Sequence, residues 1–244
     1  MHKPAATLHD GTISQSLGLL IVLAWLAVHF LCIFGPPLAN WHPLALVGVV
    51  LVQAWLSTGL FIIAHDCMHG AFAPGRRGRN RTAGRAALML YAGLDYDKMA
   101  PAHFAHHRHV GTHNDPDFNA DAPSSPGRWF LHFFGNYYTH MQLVRITVVA
   151  CIYMVLGASL INFAVFWAVP ALLALGQLFF FGTFLPHRHS ASPFADQHRA
   201  RSVGAGGLIS LISCFHFGGY HHEHHLSPQT PWWRLPDARK TLPA

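Results

Sequence analysis

The stretch HDCMHG at residues 65–70 closes an apolar run, 44–64, that contains no charged residue. A bilayer core about 30 Å thick needs ~20 apolar residues in a helix. The run is therefore long enough to cross, and its helix should deliver two histidines at the membrane boundary. Positions i and i+4 of a helix lie one above the other, so His65 and His69 can point into one site.

Three further runs have the length of membrane spans: about 13–34, 146–161 and 163–185. GPPLANWHP, 35–43, reads as a tight turn with Trp41 at the interface, and Asn162 as the link between the last two runs. The expected fold is an all-α integral membrane protein, four transmembrane helices arranged as two hairpins, in a single domain over residues 1–244. Hydrophobic residues make up 52% of the chain and charged ones 11%, a balance that suits lipid as solvent. The first run is too long for a signal-peptide core and is read as a retained span.

Every Lys, Arg, Asp and Glu lies outside these runs and outside the two short turns, so alternating spans put all of them on one face. PGRRGRNRTAGR, 74–85, is strongly basic, which makes that face cytoplasmic, termini included. AALMLYAGL, 86–94, is too short to span and is expected to be interfacial or re-entrant. The net charge of +6 follows from this topology and does not call for a nucleic-acid partner. The four cysteines are scattered, with no C-x-x-C pair, so neither a thiolate zinc site nor a disulfide framework is indicated.

Histidine is the outlier, 21 residues against 16 Lys plus Arg. The same face that receives HDCMH also receives HFAHHRH (103–109), PHRHS (186–190) and HHEHH (221–225). His103, His106 and His107 stand at i, i+3 and i+4, as do His221, His224 and His225, and each set reads as one stripe. Three such clusters on one face point to metal ligation, in a cytoplasmic cap formed by 65–145 and 186–244.

Eight or nine imidazoles exceed what one zinc takes, so two ions are expected. The H-E-x-x-H protease pattern is absent, and a single glutamate, Glu223, excludes a glutamate-built di-iron bundle. A pair of first-row metals, iron above all, remains. For the ninth ligand His187, His189, His198 and His216 compete, and His187 is preferred because it follows the fourth run as closely as His65 follows the second. His109, His222 and His113 are read as neighbours or loop residues. His2, His9, His29, His42, His132 and His140 are assigned to surface positions.

Asp66, Asp115, Asp117 and Glu223 adjoin these clusters in sequence and are candidates to orient ligating imidazoles. Arg188, Arg199 and Arg201 could meet lipid phosphate or an acidic redox partner. Trp232 and Trp233 read as an interface anchor.

The boxes His-x-x-x-His, His-x-x-His-His and His-x-x-His-His on a four-span scaffold resemble the membrane fatty-acid desaturase and hydroxylase superfamily. AHFAHHRHVGTHNDPDF (102–118), FGTFLPHRHS (181–190) and CFHFGGYHHEHHLSPQTPWWRLP (214–236) are similar to segments of its bacterial β-carotene ketolase branch, a likeness running from about Trp55 to Leu235. The resemblance implies a non-haem di-iron oxygenase of the bacterial inner membrane. It would use O₂ and an external electron donor such as ferredoxin to convert the ring methylene of a bilayer-dissolved carotenoid into a ketone. β-Carotene would pass through echinenone to canthaxanthin, and zeaxanthin would give astaxanthin.

Carried over, two Fe²⁺ ions would be held by His65, His69, His103, His106, His107, His221, His224 and His225, with His187 as ninth ligand and Asp117 as a further residue required for activity. His113 and Asn114 depart from the more acidic character expected before DPDF. The histidine spacing is shared with carotenoid ring hydroxylases, acyl desaturases and alkane hydroxylases. A non-catalytic membrane metal carrier is the reading from another class, and it would place ligands across the bilayer rather than at one face.

Overall fold

A computed structural model describes residues 6–190, 192–204 and 206–241, and these contain helices but no strand. Three helices are long and apolar enough to cross a membrane: α1 (Leu8–Ile33), α2 (Pro43–His69) and α7 (Leu160–His187). Between α2 and α7 lie α3 (Arg77–Ala92), α4 (Tyr96–His109), α5 (Pro126–Tyr137) and α6 (His140–Val155). Three short helices complete the chain: α8 (Gly207–Cys214), α9 (His221–Leu226) and α10 (Leu235–Ala238).

The outer faces of the long helices carry exposed apolar side chains, among them Leu20, Leu31, Leu44 and Leu172. A belt of this kind is stable against lipid tails and costly against water. Inside, α1 and α2 are joined by the Trp25 indole, which donates to the Ser57 hydroxyl at 2.9 Å. They approach closely at Gly59, where a Cβ would come within 2.9 Å of Ile21 and 2.8 Å of Phe215.

The 27 residues of α2 measure about 40 Å, longer than a bilayer core, so its last turns can project beyond the lipid. The helix therefore continues past the expected limit at residue 64 and carries His65 and His69 on its own final turns, stopped by Gly70 in a left-handed conformation (φ 74°).

The third crossing differs from the expected 146–161. α6 has 16 residues, about 24 Å, and meets α5 at a bend of 77°, so a crossing here requires the broken pair. The chain reverses at 156–159, where Gly157 takes φ 92°, and the fourth helix begins at Leu160. Asn162 is thus not the link but part of the first turn of α7. Its side-chain amide lies 3.3 Å from each of the Cys32, Gly35 and Pro36 carbonyls and satisfies the otherwise orphaned C-terminus of α1.

α7 widens into π-helix at Ala164–Ala168 and Leu178–Phe184. Each segment ends two residues before a proline, Pro170 or Pro186, whose missing N–H removes one α-type bond and favours the wider register.

Segment 86–94 is also not an isolated interfacial piece. It is the second half of α3, whose Ala87, Leu88 and Tyr91 are buried against the core, and Gly93 (φ 65°) stops the helix.

His29 is the largest departure among the histidines set aside as surface positions. It is 1% exposed, stacked on Trp25 with ring centroids 4.3 Å apart, and 3.1 Å from the Tyr153 hydroxyl. The exposed polar face predicted for it does not exist, because α1 turns that side toward α6 and α7. His9, His42, His132 and His140 are exposed, and His2 lies outside the described residues. Trp232 is buried against Phe215, and the Trp233 indole donates to Ser14 at 3.0 Å, so both pack the tail onto the helices rather than anchoring an interface.

Candidate metal centre

The nine histidines singled out in the sequence meet at one end of the helix bundle. They form two groups, and within each the available ligand atoms lie within 4.8 Å of one another. His65, His69, His103, His107 and His224 make the first, and His106, His187, His221 and His225 the second. The groups adjoin, with the His107 and His225 rings stacked at 4.3 Å.

Helix geometry explains the partition. On a helix i+4 sits about 40° from i on one side, and i+3 about 60° on the other. His65 and His69 stay together, as do His103 and His107 on α4 and His221 and His225 on α9. The i+3 residues, His106 and His224, turn away and cross to the opposite group. The expectation that each i, i+3, i+4 set shares one site is corrected accordingly: α4 and α9 each serve both groups. His187, at the end of α7, completes the second group. His189, His198 and His216 belong to neither; His216 stacks on Trp232 at 6.0 Å.

The nitrogens are aimed at one another. Nε2 to Nε2 separations are 2.7 Å for His69 and His103, 3.1 Å for His107 and His224, 2.9 Å for His187 and His221, and 3.1 Å for His221 and His225. A neutral imidazole has one donor and one acceptor nitrogen, so a proton can bridge one such pair at a time. His221 Nε2 faces two others at once, which one proton cannot satisfy. Donors about 2.1 Å from a shared ion come to lie roughly 3 Å apart, the spacing seen here. The donor sets therefore fit metal ions. Burial, reinforced by the neighbouring imidazoles, holds His103, His221, His224 and His225 well below the usual histidine range, in the neutral form that ligates.

Outer partners are fewer than the neighbouring carboxylates suggested. The Asp115 carboxylate accepts from His106 Nδ1 at 2.9 Å and from the Gly111 and Asp117 backbone N–H at 2.8 and 2.9 Å. Burial alone would raise the Asp115 carboxyl, but the His106 bond and charge and the two backbone bonds bring it below its ordinary value. Burial likewise depresses His106, and its carboxylate partners more than offset that and raise it. His187 Nδ1 donates to the Arg199 carbonyl at 2.8 Å. Asp117 is pushed up to about 6, chiefly by burial and further by the charge of Asp115.

Asp66 and Glu223, in contrast, do not orient ligands. Asp66 accepts from the Trp232 backbone N–H at 3.1 Å, and its oxygen is 3.9 Å from His65 Nδ1, beyond hydrogen-bond reach. Glu223 accepts from the Ser202 hydroxyl and lies 3.6 Å from Arg239. His222 pairs with Asp196 at 3.0 Å, a neighbour as expected. Arg199 donates to the Gly111 carbonyl and Arg201 to those of Arg188 and Ser192, so two of the three arginines brace the loops of the cap.

Beneath the histidines opens a cavity of about 280 Å³. His65, His103, His106, His221 and Asp117 stand on its wall, and the rest is mostly apolar. Its lining runs along α7 from Phe163 to Thr183, some 30 Å of helix. A long apolar molecule could lie along this wall with one end against the histidines. Tyr91, Phe133, Tyr137 and Trp167 line it as well; nothing in the histidine spacing singled them out, because they come from α3, α5 and α7, away from the histidine boxes.

Residues 39–145 and 137–244 match the family model described as fatty acid desaturase. Among curated proteins, the chain is 46% identical over 239 residues to a protein named beta-carotene ketolase from Paracoccus sp. (strain PC1), covering 98% of this chain and 97% of that one. It is 34% identical to a beta-carotene ketolase from Haematococcus lacustris, over 98% of this chain and 82% of the other. It is 36% identical to a zeaxanthin 4-ketolase from Chlamydomonas reinhardtii, over 84% of this chain and 46% of that longer protein.

Proposed function

The chain belongs to the fatty acid desaturase family, and on that premise we propose that it is a β-carotene ketolase. It oxidises the ring methylene at the 4 and 4′ positions of β-carotene to ketone, giving echinenone and then canthaxanthin, and converts zeaxanthin to astaxanthin by the same step. The observation that carries the reading is the juxtaposition of nine converging imidazoles in two groups with an apolar cavity.

The two groups would hold two non-haem Fe²⁺ ions, the five-member group one and the four-member group the other. When bound, the irons supply O₂ activation, which redox-inactive zinc could not. Electrons come from an external donor protein of the ferredoxin kind. The chain's own residues do the rest. Asp115 holds His106 with Nε2 facing its group, and the Arg199 carbonyl does the same for His187. Apolar side chains from α2, α5 and α7 exclude water and hold the polyene with one ring against the histidines, so that one allylic C–H is presented. Such a C–H is weakened by the adjacent ring double bond.

The protein forms a single domain, 1–244, in the bacterial inner membrane. α1, α2, the α5–α6 pair and α7 cross as two hairpins, and the histidines and both termini face the cytoplasm. This orientation brings a membrane-dissolved substrate and cytosolic electrons to one centre.

Expression in a β-carotene-accumulating bacterial host tests the proposal. Echinenone and canthaxanthin should appear with the unaltered chain and not with His106→Ala. Unchanged β-carotene, with the protein in the membrane and iron bound, would overturn the ketolase reading.

A further inference from the structure

One end of the cavity is polar in a way that the hydrocarbon substrate does not use. Asp117 stands on the wall, 8% exposed, and its Oδ2 is 3.9 Å from His106 Nδ1. The Tyr137 hydroxyl, at the end of α5, donates to its Oδ1. The backbone is held on both sides: the Trp129 indole donates to the Asp117 carbonyl at 2.6 Å, and the Asp117 N–H donates to Asp115 at 2.9 Å. The carboxylate therefore cannot withdraw from the wall. Among the described residues, Tyr137 is the one side chain that donates to it, and burying a carboxylate with so few donors is unfavourable. A carotene has no donor to offer.

The product of the first oxidation does. Each oxidation consumes one O₂ with two electrons from the donor and two protons from solvent, puts one oxygen into a ring C–H bond and releases the other as water. The first gives a ring alcohol and the second, at the same carbon, a geminal diol. One hydroxyl of the diol leaves as water with the proton of the other, and the ketone remains. An enzyme that stops at the alcohol need only let it go, whereas one that reaches the ketone must keep that carbon in place.

Resting on the ketolase reading, we propose that Asp117 and Tyr137 form a subsite for the hydroxyl of the half-oxidised ring. Asp117 Oδ2 accepts the new O–H, and Tyr137 is the positioning residue that turns the carboxylate toward it. The pair is complementary to the intermediate and not to the substrate, and it makes the second oxidation follow the first without release.

The test is the ratio of ring alcohol to ketone formed from β-carotene by membranes containing the full-length holoenzyme. Tyr137→Phe should raise that ratio about tenfold or more, the effect of losing one hydrogen bond to a charged group. Tyr153→Phe, whose hydroxyl faces His29 and which lies off the cavity wall, should leave it unchanged. The unaltered chain gives a check independent of any variant: its KM for the 4-hydroxylated carotene should fall below that for β-carotene, whereas kcat for the two need not differ.

An unchanged ratio in Tyr137→Phe, an equal shift in Tyr153→Phe, or a KM for the alcohol no lower than that for the hydrocarbon would each overturn the subsite. Failure of the unaltered chain to make any ketone would instead overturn the ketolase reading itself.

Discussion

The two histidine groups contain the same ligand type, yet the protein builds them differently. In the four-member group every ring is buried, and two of the four have a partner on the far nitrogen, Asp115 for His106 and the Arg199 carbonyl for His187. In the five-member group His69, His103 and His107 are half-buried. One group has little redundancy and is held from outside. The other has a spare donor and is held mainly by α2 and α4 themselves. The difference teaches that ligand number and ligand support can substitute for one another in retaining an ion.

The comparison is broken most directly by removing one ligand from each group. His225→Ala leaves the second group with three nitrogens. Ketone formation should fall on the order of 10³-fold, and metal analysis of the purified protein should find one ion instead of two. Retention of both ions would mean that the four-member group is not an independent site.

Next in size is Asp115→Asn, which keeps the shape but removes the charge that orients His106. Metal affinity should weaken by about 10- to 100-fold, seen as earlier loss under chelator titration, with ligand number unchanged. Smaller again is His69→Ala. Four donors remain, so both ions should stay and activity should drop by roughly tenfold. If His69→Ala were as damaging as His225→Ala, the redundancy assigned to the five-member group would be wrong.

The convergence of these histidines was partly readable in the sequence because i, i+4 spacing is local: His65 with His69, His103 with His107, and His221 with His225 stay paired whatever the tertiary fold does. The partition was not readable, since the destination of His106 and His224 depends on how α4 and α9 are set against each other. Sequence neighbours misled for the same reason. Adjacent helical residues point about 100° apart, so Asp66 beside His65 and Glu223 beside His224 face away from the metal groups. Asp115, nine residues from His106, reaches it because the chain turns back at Gly111 (φ 64°). Among the spans, α1, α2 and the last were legible from apolar length. The segment 146–161 was not, because its helix has 16 residues and reaches the length and apolarity of a candidate span only together with α5, across a bend of 77°.

His29 gives the smallest and the sharpest contrast with the metal groups. It is as buried as His224, yet only His224 converges with other imidazoles. Burial alone thus does not make a ligand; what distinguishes a ligand is a second nitrogen aimed at the same point. His29 meets a phenol and an indole face instead, which suits helix packing of α1 against α6. His29→Leu should therefore keep both metal ions and the product pattern. Its cost should be about 1 kcal/mol, the worth of the lost bond to Tyr153, seen as a drop of ~2–4 °C in thermal unfolding in detergent. Loss of metal in this variant would extend the metal centre into the membrane and erase the distinction between packing and ligating histidines.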